Sequence, residues 1–157
     1  SRRNIDYILK NMFPMIISFD KLNQVRHIRF LKDMDGLAAH MEKHRALLEP
    51  KFRAVLAILD EGLSGCGSIA RWTKPNGGYF LSLYTLGGCA KRTVQLCREA
   101  GVVLTDAGAA YPYGVDPQDS NIRIAPTFPP LDELETASRL LCVCVRIATL
   151  EKLLQRQ

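Results

Sequence analysis

The sequence lacks long apolar runs, internal repeats, C-x-x-C pairs and any block of charge of one sign. Its apolar stretches, such as Leu140 to Val145, are interrupted well before the ~20 residues that a bilayer crossing needs, which excludes a transmembrane helix. Basic residues are interleaved with acidic ones, so the net charge of +5 forms no clustered patch for nucleic acid. The five cysteines fit neither a secreted disulfide framework nor a zinc ribbon, and we expect reduced thiols in the cytoplasm.

The beginning of the chain, Ser1 to Asp6, has neither an initiator methionine nor the apolar core of a signal peptide. We therefore expect a chain cut from a longer protein. What is present suits one folded domain. Of 157 residues, 47% are hydrophobic and 24% are charged, which is enough for one core without disulfides or a metal.

Apolar residues spaced three and four apart predict helices in the N-terminal part of the chain. A short apolar opening, Ile5 to Phe13, is interrupted by Pro14, and Asp20 can cap the helix that follows. The longest helical pattern then runs from Leu37 to Leu59. Pro50 lies inside this pattern, so we expect a kink there or two abutting helices.

Beyond Gly67, short runs of β-forming residues are separated by turn residues. The candidate strands are Ser68–Thr73, Tyr79–Leu83, Val102–Leu104 and Asn121–Ile124, and the first two read as an antiparallel pair around a turn that contains Pro and Gly. Helices are predicted from about Cys89 to Ala100 and after Pro130. This order of elements predicts an α+β fold, an α/β sandwich in which helices cover a small antiparallel or mixed sheet.

Arg123 is the most informative side chain of the predicted strands. Because strand side chains alternate, Ile122 and Ile124 share one face and Arg123 projects from the other. Its planar guanidinium could bind a carboxylate through two parallel hydrogen bonds, which lysine cannot reproduce. The alternative is an arginine that pairs with a local aspartate or lies in solvent. Tyr111 and Tyr113, in the loop before the strand, could line the mouth of a pocket or simply belong to a turn.

Two further patterns have simpler structural explanations. His40 and His44 stand four apart on one helical face, a spacing that zinc can bridge, but Met41 occupies the position where a metalloprotease helix needs glutamate. With no third ligand in view, we interpret them as part of a solvated helix face and predict no metal site. Gly87–Gly88 could hold an anion at a helix start, but an N-terminal turn is the commoner explanation.

Several stretches together resemble the C-terminal part of a fold-type I pyridoxal-phosphate aminotransferase, in the branch called MocR-like aminotransferases. These stretches are Asp20–Phe30, Pro50–Phe52, Trp72–Phe80, Ala107–Ala109 with Pro112–Gly114, and Asp119–Pro126. Lys74 to Phe80 resembles the Pro-x-Gly-Gly-Phe strand motif of the superfamily. Asn121 to Ala125 resembles the strand whose arginine grips the substrate α-carboxylate, and Arg123 is the matching position.

The resemblance implies a set of site residues, but the lysine that holds the cofactor in this family has no match in this sequence. Arg123 would bind the substrate carboxylate, with Asn121, Tyr111 and Arg26 as further substrate-binding candidates. The implied cofactor is pyridoxal 5'-phosphate, held as a Schiff base on a lysine. None of the eight lysines stands in the Ser/Thr-rich context of that lysine. We therefore predict no catalytic residue in this chain, leave its cofactor-binding residues unknown, and expect the fragment alone to be inactive.

The resemblance also implies an organisation and a function. Residues 1–34 would be the end of the large-domain region with a connecting helix, and residues 35–157 the small C-terminal domain with a long interdomain helix. The whole protein would be a homodimeric transaminase that moves an amino group between an amino acid and a 2-oxo acid. Two alternatives stay open, a ligand-sensing aminotransferase-like domain of a transcriptional regulator and a freestanding α+β binding domain.

Overall fold

The computed structural model of the chain describes residues 1–12, 15–16 and 19–155. The interruption predicted at Pro14, and Phe13 at the end of the predicted apolar opening, lie outside these residues. The described elements are α1 (Arg2–Met12), α2 (Lys21–Leu31), α3 (Met34–Leu63), β1 (Ala70–Trp72), β2 (Leu81–Thr85), α4 (Ala90–Glu99), β3 (Asn121–Ile124) and α5 (Leu131–Leu154). The α+β fold class is confirmed.

The chain divides into two compact units, Ser1–Arg45 and Ala46–Gln157. The predicted division into 1–34 and 35–157 concerns the domains of a longer protein and stays a prediction. No described helix is both long and apolar enough to span a bilayer.

The first unit is helical, and aspartate side chains start two of its helices. The carboxylate of Asp20 accepts a hydrogen bond from the backbone N–H of Asn23 at 2.9 Å, which confirms the predicted cap of α2. Asp33 does the same for α3, accepting from the N–H of Gly36 at 2.7 Å. Such caps satisfy donors that the first helical turn leaves free.

Helix α3 is a single helix of 30 residues that includes Pro50. Of the two outcomes expected at Pro50, two abutting helices was therefore wrong, and a kink stays a prediction. A proline removes one backbone donor from a helix, which is a local loss. Beyond it, Val55, Ile58, Leu59 and Leu63 are all buried, so core packing holds the second half of the helix in place.

The sheet has the order β1-β2-β3, and both pairs are antiparallel. Its core-facing side carries Leu81, Leu83, Ile122 and Ile124, which pack with buried residues of the helices of the second unit. Burying each such side chain contributes roughly 1.5 to 3 kcal/mol. Because the pleat alternates, the residues between them are placed on the opposite side of the sheet, where the candidate site lies.

The strand predicted at Val102–Leu104 is not formed. The N–H of Val102 donates to the carbonyl of Cys97 at 2.8 Å and so closes the end of α4, while Val103 is largely exposed. Among the described residues, the sheet offers this segment no partner strand. A β-forming sequence without a neighbour to pair with stays irregular.

Candidate functional site

The outward side of the sheet presents two rows of polar residues, which we call the polar face. The rows are Arg71, Tyr84 and Asn121, and Thr73, Ser82 and Arg123. Thr73 joins its row through a pair of hydrogen bonds: its N–H donates to the Ser82 carbonyl at 3.0 Å, and its hydroxyl oxygen accepts from the Ser82 N–H at 2.9 Å. The guanidinium carbon of Arg71 lies 3.9 Å from the centroid of the Tyr84 ring.

Arg123 is half-buried on this face and is positioned by an aromatic ring. Its guanidinium carbon lies 4.7 Å from the centroid of the Phe80 ring, a cation–π distance. Its Nε is buried, and no hydrogen-bond acceptor for it exists among the described residues. Because a buried donor without an acceptor costs free energy, the geometry suits an acceptor that comes from outside this chain.

Asn121 brings a second unpartnered atom to the same strand. The residue is 1% exposed, and its Oδ1 is buried without a donor among the described residues. Asn121 and Arg123 are two apart on β3, so strand alternation directs both to the polar face. The face therefore combines a free donor with a free acceptor, as a site for a polar ligand group requires.

Asp116 fixes the start of β3, and its role was not foreseen from the sequence. Its carboxylate accepts hydrogen bonds from the backbone N–H groups of Ser120 and Asn121, both at 2.8 Å, and of Gln118 at 3.0 Å. Burial opposes ionisation of this carboxyl group, but the backbone hydrogen bonds outweigh that effect and lower the pKa of Asp116. The Asp116-Pro117 dipeptide is a turn signal that could have revealed it.

Tyr111 lies in the loop that packs against the start of β3. The N–H of Tyr111 donates to the carbonyl of Gly108 at 2.9 Å, and the N–H of Gly108 donates to the carbonyl of Asn121 at 3.4 Å. This hydrogen-bonded path links the backbone of Tyr111 to the strand that carries Arg123. Tyr113, by contrast, is fully exposed, with a φ of 58°.

Arg26, the fourth substrate-binding candidate, lies on α2 in the first unit and is exposed. Arg123, Asn121 and Tyr111 belong to the second unit. The structure therefore brings three of the four candidates into one unit, and the assignment of Arg26 stays a prediction.

Gly87 and Gly88 form a turn and leave no anion site. The N–H of Gly88 donates to the carbonyls of Gln118 at 2.9 Å and Asp119 at 3.1 Å. The Asp119 carbonyl also accepts from the N–H groups of Cys89 and Ala90, and its carboxylate accepts from that of Lys91 at 3.0 Å. The first turn of α4 is thus satisfied by the loop before β3, as the turn interpretation predicts.

The lysines are the residues of this chain that could hold pyridoxal phosphate as a Schiff base. All eight lysines lie in the described part of the chain, and none of them is buried. Lys51 is occupied by the backbone carbonyls of Thr127 at 2.8 Å and Pro129 at 2.6 Å. Lys74 contacts the carboxylate of Asp60 at 3.1 Å. No lysine therefore stands in the enclosed setting that a Schiff base needs.

A cavity of about 280 Å³ lies elsewhere in the second unit, between α3 and α5. Ile58, Gly62, Cys142 and Arg146 are among the residues that line it. None of the predicted site residues borders this cavity, so it adds nothing to the polar face.

The small antiparallel sheet and its covering helices match the C-terminal domain of an aminotransferase. A solved α-aminoadipate aminotransferase from Thermus thermophilus, complexed with N-(5'-phosphopyridoxyl)-L-leucine, has the same fold, with a TM-score of 0.71 at 18% identity over 95% of this chain and 37% of that one. The family model described as aspartate amino-transferase matches residues 1–157. The chain belongs to this family.

Closer relatives also carry aminotransferase names. One from Mycolicibacterium smegmatis is 49% identical over 154 residues, which are 98% of this chain and 36% of that protein. A solved aspartate transaminase from Corynebacterium glutamicum is 47% identical, with a TM-score of 0.81 over 85% of this chain and 31% of that one. The chain spans about a third of the length of the curated relatives it matches.

Proposed function

We propose that the chain is the C-terminal part of a pyridoxal-phosphate-dependent transaminase that exchanges an amino group between an amino acid and a 2-oxo acid, with Arg123 binding the substrate α-carboxylate. The observation that carries this proposal is the buried, unpartnered Nε of Arg123 on the polar face. Family membership supplies the reaction class, and the free guanidinium supplies the recognition of a carboxylate.

The surroundings of Arg123 support this role. Five other arginines, at positions 45, 53, 92, 98 and 139, form ion pairs with carboxylates. Arg123 stacks on Phe80 instead and has no ion-pair partner among the described residues. A stacked guanidinium keeps its N–H edge available in a fixed plane, so less rotamer freedom is lost when a carboxylate binds.

Asn121 and Tyr111 take secondary parts in this proposal. Asn121 Oδ1 can accept a hydrogen bond from a substrate N–H group or from a neighbouring donor of the intact protein. The loop that contains Tyr111 borders the same strand through Gly108. Both residues would shape the site around the carboxylate without reacting.

The cofactor belongs to the remainder of the intact protein in this proposal. When bound, pyridoxal phosphate acts as the electron sink for the amino-group transfer. Because no lysine here is buried, we expect the 157-residue chain to form no stoichiometric adduct after treatment with pyridoxal phosphate and borohydride. Mass-spectrometric mapping of a stoichiometric adduct to one lysine would contradict this.

The role of Arg123 is tested in the intact protein with Arg123→Ala and Arg123→Lys. Loss of a charge-assisted bidentate contact should lower kcat/KM roughly 30- to 1000-fold, and lysine should restore only part of it. Each variant is assayed with an amino acid and with the matching amine that lacks the carboxylate. Arg98→Ala is the control, because Arg98 is exposed and pairs with Asp106 at 3.0 Å.

The preference for the carboxylate-bearing substrate decides the outcome. If Arg123 binds this group, Arg123→Ala loses the preference while Arg98→Ala keeps it. If Arg123→Ala keeps the preference as well, another residue holds the carboxylate, and Arg26 is the next to test.

The remaining parts of the proposal concern the whole protein. On the stretches that carry the sequence resemblance, we propose that the intact protein belongs to the MocR-like branch and is a cytoplasmic homodimer. The sequence of the intact protein upstream of Ser1 distinguishes an enzyme from a transcriptional regulator, because a regulator would carry a DNA-binding winged helix there. The aminotransferase names of the relatives favour the enzyme.

A further inference from the structure

His40 and His44 form a close pair on α3, within the first unit. Their Nε2 atoms lie 3.1 Å apart, and the rings meet edge to face with centroids 4.6 Å apart. Phe30 packs edge to face against His40 at 5.2 Å between centroids. Both histidines are half-buried, so their rings are held in this arrangement by packing.

The distance between the two nitrogens matches the bite of a chelate. With metal–nitrogen bonds of about 2.0 to 2.1 Å, two nitrogen ligands at a right angle lie ~2.9 Å apart, and two tetrahedral ligands ~3.4 Å apart. The observed 3.1 Å falls between these values. A metal ion bound to both nitrogens would lie off the line that joins them, so the distance fits a chelate once each ring turns by roughly 40° from the present hydrogen bond.

The present contact is also one that a metal can replace. Two Nε2 atoms at this distance share one hydrogen, because one ring donates and the other accepts. Metal binding requires both Nε2 atoms to be free of a proton, so the ring that donates in the present contact must carry its hydrogen on Nδ1 instead. Imidazole nitrogens suit the borderline divalent ions zinc, nickel and copper.

We propose that His40 and His44 form a bidentate site for a borderline divalent metal ion, with water at the remaining positions. The described residues offer no group of three or more metal-ligating side chains, so the site is open and exchangeable, unlike a closed structural centre. It departs from our sequence-based prediction of no metal site, because spacing alone did not reveal how close the two nitrogens lie.

The test is calorimetric titration of the chain with zinc chloride and with nickel chloride. All titrations use the Cys66→Ser variant, so that Cys66, the one cysteine that is not buried, does not compete for the metal. We expect one equivalent of metal to bind. In a chelate, a metal ion bound to one histidine is held at a high effective concentration beside the other. His40→Ala and His44→Ala each remove this gain, so each should weaken metal binding about 100-fold. His27→Ala, which changes the remaining histidine of the chain, should leave it unchanged.

A second readout separates ligation from a structural effect. Addition of zinc should shift the Nε2 resonances of His40 and His44 in nitrogen-15 spectra and leave those of His27 in place. Alanine is the best helix former, so circular dichroism of both variants should match the parent. Absence of binding in the parent, or binding to the His40→Ala and His44→Ala variants that is as tight as binding to the parent, would overturn the proposal.

Discussion

Replacing Asp116 should loosen the strand that carries Arg123. The Asp116 carboxylate holds the backbone N–H groups of Ser120 and Asn121 at 2.8 Å each. These two residues are 5% and 1% exposed, so water cannot readily take over the freed donors. Asp116→Ala removes both acceptor oxygens, and Asp116→Asn keeps one without its charge.

The magnitude follows from the number of donors that lose their acceptor. A buried backbone N–H left unsatisfied costs about 1 to 1.5 kcal/mol at the lower end of measured values, so two amount to about 2 to 3 kcal/mol. The third donor, the N–H of Gln118, belongs to an exposed residue and can turn to water. We expect Asp116→Ala to lower the free energy of unfolding by this amount and Asp116→Asn by less, because both buried donors bind the same carboxylate oxygen, which the asparagine oxygen can replace.

Urea unfolding of the chain measures the effect, and amide hydrogen exchange at Asn121 locates it. Asp106→Asn is the matched control, because this exposed aspartate of the same loop region makes only a surface ion pair with Arg98. Its loss should cost less than about 0.5 kcal/mol. Since the pKa of Asp116 is lowered in the folded chain, its stabilisation is present above the ordinary aspartate pKa and is lost as pH falls through the folded value.

Equal unfolding free energies for Asp116→Ala and Asp106→Asn would refute this reasoning. So would a lowered stability without faster exchange at Asn121, because the loss would then lie elsewhere. In the intact protein, a loosened β3 should also lower kcat/KM for a carboxylate-bearing substrate more than for the matching amine.

Two further predictions concern glycine and cysteine. Gly108→Ala would place a methyl carbon 2.5 Å from the Gly114 carbonyl oxygen. Gly101→Ala is the control, because both glycines have positive φ but only Gly101 has open space around its added methyl group. In urea unfolding, the Gly108→Ala variant should be less stable than the Gly101→Ala variant by at least about 1 kcal/mol. Equal unfolding free energies for the two variants would contradict the clash. Burial raises the pKa of Cys97 to about 12 and that of Cys142 to about 11, so at pH 8 Ellman's reagent should label Cys66 quickly and these thiols only after unfolding.

Much of the sheet could be predicted because its signals are local. The turn residues between Thr73 and Tyr79 indicate a hairpin, and the alternation around Arg123 indicates both the strand and its exposed side. Val102–Leu104 has the same β-forming composition but lacks a partner strand among the described residues. Pairing is a property of the neighbours, so composition alone could not separate these cases.

In the candidate site too, the features set by neighbouring residues in the sequence could be predicted, and the features set by the folded chain could not. Arg123 could be singled out because a charged residue between two isoleucines is visible in the sequence. Asp116 was missed because the Asp116-Pro117 dipeptide indicates a turn but does not show which backbone N–H groups the carboxylate binds. The unpartnered Oδ1 of Asn121 depends on burial by the folded chain, which a sequence does not display.

The capping of α4 by Asp119 has a consequence for the order of folding. The hydrogen bond from the N–H of Lys91 to the Asp119 carboxylate joins residues 28 positions apart. Such a contact carries a loop-closure entropy that the contacts between neighbouring turns of one helix do not. We expect the first turn of α4 to be unformed in the folding transition state, so Asp119→Ala should speed unfolding and leave the refolding rate nearly unchanged in stopped-flow experiments.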